Sequence, residues 1–156
     1  MPTVDTSNSY VTEAEATTYF ANRLYADAWA SATAEDKQKA LLMARTLLDF
    51  HIIWSGYPTD DTQPLQWPRI GVTGIALDAV PESVKIAQME LALILLSQDT
   101  TAMPANPGVK RQTVDVITEE FFAGADKAKP IPDRVFQLIA VYGRRAGGLG
   151  SVSLTR

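Results

Sequence analysis

One histidine, two adjacent aspartates and a glycine-rich stretch are the residues of this 156-residue chain whose types could do chemistry. His51 could serve as a general base if a carboxylate oriented it and a nucleophile lay within reach. Its acidic neighbour in sequence is Asp49, and side chains two apart on a helix face different ways. No serine–glycine nucleophile signature accompanies it, so His51 is expected to be structural. Asp60 and Asp61 could bind a cation, but a hard cation needs further oxygen ligands at defined spacing. A solvated turn is the expectation there. Gly143, Gly147, Gly148 and Gly150 follow a predicted helix. A phosphate-cradling loop opens a helix, so the context is the wrong one. Stacking of single-stranded nucleic acid calls for aromatics interleaved with cations. Tyr19, Phe20, Tyr25 and Trp29 have few cationic neighbours besides Arg23. No catalytic, cofactor or metal site is expected, and the chain reads as a non-enzyme.

Composition agrees. The chain has no cysteine, which excludes disulfides, thiolate zinc, iron–sulfur clusters and a thiol nucleophile. The length is that of one domain. Fourteen basic residues face 18 acidic ones, for a net charge of −4. That balance does not fit a binder driven by a basic tail. The charges are unevenly spread, however. No acidic residue follows Asp133, so Arg134, Arg144, Arg145 and Arg156 leave that end at +4 and the remainder at −8. An acidic body with a basic end suits docking onto an acidic protein surface or a phosphate backbone. Four solvated arginines are the plainer alternative. Met1 to Tyr10 lacks the basic-then-apolar order of a signal peptide. The apolar run Ile86 to Leu96 holds Gln88 and Glu90 and falls short of the ~20 residues that span a bilayer. No membrane partner is expected, and a cytosolic setting is the default.

The elements that would carry these residues are mainly helical. Thr12 and Glu15 form a capping-box pattern, predicting a helix over Glu13 to Asn22 that buries Ala16, Tyr19 and Phe20. Thr33 with Asp36 predicts a second helix from Ala34 to Ile52. Leu41, Ala44, Leu48 and Ile52 form its stripe, with Leu47 beside them and Asp49 off it. Prolines 58, 64 and 68 exclude helix interior from the following loop. Trp54, Gly56, Trp67, Pro68 and Arg69 mark that loop as one folded over the core, since tryptophans bury large apolar area. A third helix begins at Pro81, a good first-turn residue, and runs to Gln98. It is apolar around most of its circumference and therefore central. Residues 109–122 change to an alternating, extended pattern. A last helix covers Arg134 to Tyr142, with Gly143 as its C-cap. The expected fold is a small bundle of about four helices with a short β-strand or hairpin excursion. Residues 1–142 form the domain and 143–156 an extended tail.

The ordered motifs carry a resemblance. Ser9-Tyr-Val-Thr-Glu-Ala-Glu-Ala16 precedes Tyr19-Phe20, Ala28-Trp29 and the helix Lys39 to Asp49. Trp54-Ser-Gly56, Gln63-Pro-Leu-Gln-Trp-Pro-Arg69 and Val80-Pro-Glu-Ser-Val-Lys85 follow. This resembles a family of tailed-bacteriophage proteins encoded among the head and neck genes and often labelled DnaT-like single-stranded DNA-binding. By context these resemble head–tail connector, or head-completion, adaptors. The match runs from about Ser9 to Asp99 and is loose beyond.

The resemblance implies a virion protein of the neck, assembled in the host cytoplasm. It implies a homo-oligomeric ring of twelve copies beneath the portal protein, a downstream neck or tail protein below, and genomic duplex DNA passing through without specific binding. It further implies that the segment from Gly143 docks on the portal, with Arg144, Arg145, Leu149, Val152, Leu154 and Arg156 as contacts. Single-stranded DNA binding of the DnaT-like type is the alternative function.

Overall fold

A computed structural model describes residues 3–102, 111–114, 117–120 and 129–146. Thr12 caps the first helix. Its hydroxyl accepts from the Glu15 amide at 3.2 Å, and the Glu15 carboxylate accepts from the Thr12 amide at 2.7 Å. The helix so capped, α1, spans Glu13–Ala21 and buries Ala16 and Phe20. Tyr19, expected in the core, is half-buried because its hydroxyl reaches Glu90 at the edge of the bundle. A short helix the periodicity does not predict, α2, covers Asp27–Ser31 and buries Trp29 against Phe20.

Thr33 caps α3, Ala34–His51, by accepting from the Asp36 amide at 3.1 Å. Its buried face is Ala40, Leu41, Ala44, Leu47 and Leu48, the expected stripe. Ile52 is buried too, but in strand β1, Ile52–Trp54. Strands β2, Tyr57–Pro58, and β3, Arg69–Ile70, pair antiparallel. Helix α4, Glu82–Leu95, is the central element. It packs against both α3 and α5 and buries eight side chains. It stops three residues short of the expected end.

One of those eight is Gln88. Its amide nitrogen donates to Ser9 Oγ and to the Leu41 carbonyl, and its oxygen accepts from the Tyr10 amide. A buried amide with every partner supplied ties the N-terminal segment to two helices.

Between α4 and α5 the backbone forms an antiparallel hairpin of β4, Arg111–Val114, and β5, Ile117–Glu120. It lies within the 109–122 excursion. Helix α5 is Asp133–Ile139, shorter than expected, and Ala140 is its C-cap. Gly143 is not a cap. It opens β6, Gly143–Arg145, which pairs antiparallel with β1 so that Gly143 faces Trp54 and Arg145 faces Ile52. A Cβ at Gly143 would come within 2.7 Å of the Ile53 carbonyl oxygen, so the close strand approach explains the glycine. Residues 143–145 of the expected tail thus pair with β1, and residues 147–156 lie outside the described residues. The whole is a mainly α domain of five helices, among the described residues, with short two-stranded sheets.

Candidate functional site

The loop from Trp54 to Ile70 concentrates the residues singled out from sequence, and the structure brings them together. Trp67 is almost fully buried and meets Trp54 edge-on at 5.7 Å and Tyr142 at 5.8 Å. The Trp67–Pro68 peptide is cis. Gly56 has φ +69°, and a Cβ there would lie 2.1 Å from the Ile70 carbonyl oxygen, so only glycine fits. Arg69 is 6% exposed. Its fork donates to the carbonyls of Ser55 at 2.8 Å, Gly56 at 2.7 Å and Gln66 at 2.9 Å, and to Gln66 Oε1 at 3.0 Å. Burial lowers its pKa, with Tyr10 and Asp49 opposing. Such a cation is spent on the loop's own carbonyls and is not offered to a ligand. Among the described residues, the buried indole N–H groups of Trp54 and Trp67 meet no acceptor.

Beneath this loop lies a polar contact that helix periodicity hides. The Tyr10 hydroxyl donates to Asp49, the residue set off the α3 stripe. Burial raises the Asp49 pKa, against the lowering effects of Tyr10 and Arg45. Burial, then the Asp49 charge, holds the Tyr10 phenol far above its usual range. Asp49 is therefore occupied, and it does not orient His51, which instead stacks edge-on with Phe50 at 5.0 Å. Asp60 accepts from the amide and hydroxyl of Thr62 in an exposed turn, which lowers its pKa. Among the described residues no three acidic or histidine side chains cluster to hold a metal.

The cations are mostly engaged. Arg23 grips Glu90 at 2.5 and 2.8 Å. Lys39 pairs with Glu35 at 2.7 Å, Arg45 with Asp49 at 3.8 Å and Lys129 with Asp133 at 2.9 Å. Lys37 lies over Trp29. Of the expected docking residues, Arg145 donates to the Ile131 carbonyl and to Asp133, each at 2.7 Å, and stacks over Phe136. Arg144 is exposed on β6 opposite Ile53. Leu149, Val152, Leu154 and Arg156 lie outside the described residues.

An open cleft of about 680 Å³ runs between α1 and α4. Val11, Ala14 and Met89 line it, and Glu15, Glu82 and Lys85 stand among its polar groups. The mixed charges suit neither a phosphate nor a metal. A second groove, of about 520 Å³, is lined by Arg23, Arg134 and the exposed Tyr25.

The model of the family described as "Putative DnaT-like ssDNA binding protein" matches residues 2–156. The chain belongs to this family. The family's description names single-stranded DNA binding, the second of the two functions read from the sequence, and carries nothing about a connector. No curated protein and no solved structure matches the chain significantly.

Two features of this region escaped sequence reasoning. The Arg23–Glu90 and Tyr10–Asp49 contacts join residues far apart in the chain. Their local signals are Asp49 off the α3 stripe and Glu90 within the apolar run of α4.

Proposed function

We propose that this member of the family is a structural subunit of the phage neck, a head–tail connector without catalytic activity. It would sit in the virion as a ring of twelve copies beneath the portal, extend the DNA channel and meet a neck or tail protein below. The observation that carries this reading is the hairpin inserted between α4 and α5. These two helices pack on each other, and the chain between them carries the β4–β5 pair. A small bundle with a β-excursion and a segment following β6 is what the connector resemblance implies. Charge points the same way. Arginines and lysines tied to carboxylates and carbonyls do not clamp phosphates, and a channel must let the genome slide.

The tail is tested by deletion. A chain lacking residues 147–156 is expected to fold, since β6 and its Arg145 contacts are retained, and to lose co-assembly with the portal. Undiminished co-assembly would overturn the docking role.

The family description favours a second reading, single-stranded DNA binding. Fluorescence anisotropy with a labelled oligonucleotide at ~150 mM salt, where exposed charges are screened, separates the two. The connector reading expects no saturable binding. Micromolar affinity would establish the second reading in its place.

A further inference from the structure

The turn after α1 is built in a way its own stability does not require. Leu24 and Tyr25 are 78% and 88% exposed. Tyr25 also has φ +59°, the left-handed region that a bulky side chain rarely enters. Arg23 holds the strained turn in place. While its Nε and one amino group bind Glu90 on α4, the other amino group donates to the carbonyls of Leu24 and Tyr25 at 2.8 and 3.2 Å. Strain maintained in this way at a surface marks a site with a use. The turn forms one wall of a groove of about 520 Å³. Ala28, Leu93 and Ile94 also line the groove, and Arg134 stands in it. Among the described residues Arg134 has no carboxylate partner.

A second feature complements the first. Leu77 is 61% exposed beside exposed Asp78, in a turn closed by the Ala79 amide donating to the Ala76 carbonyl. The Thr59 hydroxyl fixes that turn by donating to the Leu77 carbonyl at 2.7 Å. Asp78 has no cationic partner among the described residues. The Leu77 turn leads into the N-terminal end of α4, and the groove lies along its C-terminal end. A 14-residue helix separates the two by about 20 Å. One end of the molecule thus offers an apolar knob with an acid. The other offers a groove of mixed polar and apolar lining with a base.

We propose that the groove beside Leu24 and Tyr25 receives the Leu77–Asp78 turn of a second copy of this chain. Leu77 enters between Tyr25 and Leu93, and Asp78 meets Arg134. Because knob and groove lie at opposite ends of α4, the contact is head-to-tail. Repetition of such a contact closes a ring or extends a filament and does not stop at a dimer. The pre-held turn lowers the ordering cost of docking. Nucleic acid is the poorer occupant, since Arg23 is committed to Glu90 and Asp27 stands exposed nearby. The inference rests on the ring reading above and assigns its subunit contact.

The absence of native cysteine makes the test direct. Full-length chain carrying Ala28→Cys and Ala76→Cys, with Leu77 kept, is oxidised at high subunit concentration and resolved on a denaturing gel. The expected result is a ladder extending beyond dimer. Adding Arg134→Glu should reduce the ladder at least tenfold, and further adding Asp78→Lys should restore it. Circular dichroism checks that each variant is folded. Products that stop at dimer, absence of any ladder, or indifference to the Arg134 reversal would overturn the contact. So would cross-linking of Ala28→Cys to a different protein in particles. Portal co-assembly that persists without a ladder removes this contact alone. Loss of portal co-assembly by a laddering chain removes the neck reading alone.

Discussion

The Thr100 hydroxyl donates to the Pro130 carbonyl at 2.9 Å, joining two residues 30 positions apart. Thr100 lies just past α4 and Pro130 just before α5, so the bond closes the base of the segment that carries the β4–β5 hairpin. A connection closed at its base adds length without loosening the bundle, because loop entropy grows only slowly with length. The bundle can therefore carry a hairpin between α4 and α5, and this is the architecture on which the connector reading rests.

Thr100→Val keeps the shape and removes the donor. It should destabilise the domain by about 1 kcal/mol, the net worth of one such hydrogen bond. Urea unfolding followed by tryptophan fluorescence measures it. An unchanged midpoint would mean that the excursion is held by other contacts.

Trp67 anchors the loop between Trp54 and Tyr142. Trp67→Ala should cost about 3–5 kcal/mol, the usual range for emptying a buried aromatic site. A loss below about 1 kcal/mol would be that of a surface position and would contradict its burial.

The main helices were legible because caps and apolar periods are local. Thr12 with Glu15, Thr33 with Asp36, and the Leu41-to-Leu48 stripe each declare an element within a few residues. What stayed hidden depends on distant partners. Gln88 reads as an interruption of an apolar helix until Ser9, Tyr10 and Leu41 surround it. Asp49 reads as solvated until Tyr10 arrives from the N-terminal segment. Gly143 fits a C-cap in sequence, and only the pairing of β6 with β1 reveals the close approach that requires it. Helix α2 is too short to show a period. The Trp54–Arg69 loop announced its burial through its tryptophans, but the use of Arg69 as an internal clasp has no sequence signal.

Asp49 gives a pH signature. Burial raises its folded pKa, so the native state holds the proton more tightly than the unfolded chain. Its contribution is most favourable below the ordinary carboxylate range near pH ~4 and is lost as pH rises through the raised value. Asp49→Asn keeps an acceptor for Tyr10 and abolishes the titration. Relative to the natural chain, the variant should gain stability as pH rises from ~4 towards neutral. Denaturant midpoints at several pH values measure the difference, and a relative loss over that window would contradict the assignment.

Location tests the central claim most directly. Purified phage particles carrying this protein are labelled with a gold-conjugated antibody and viewed by electron microscopy. The connector reading predicts gold at the neck, between the capsid vertex and the tail. Particles without label, with the protein recovered instead on single-stranded DNA in infected cells, would contradict it.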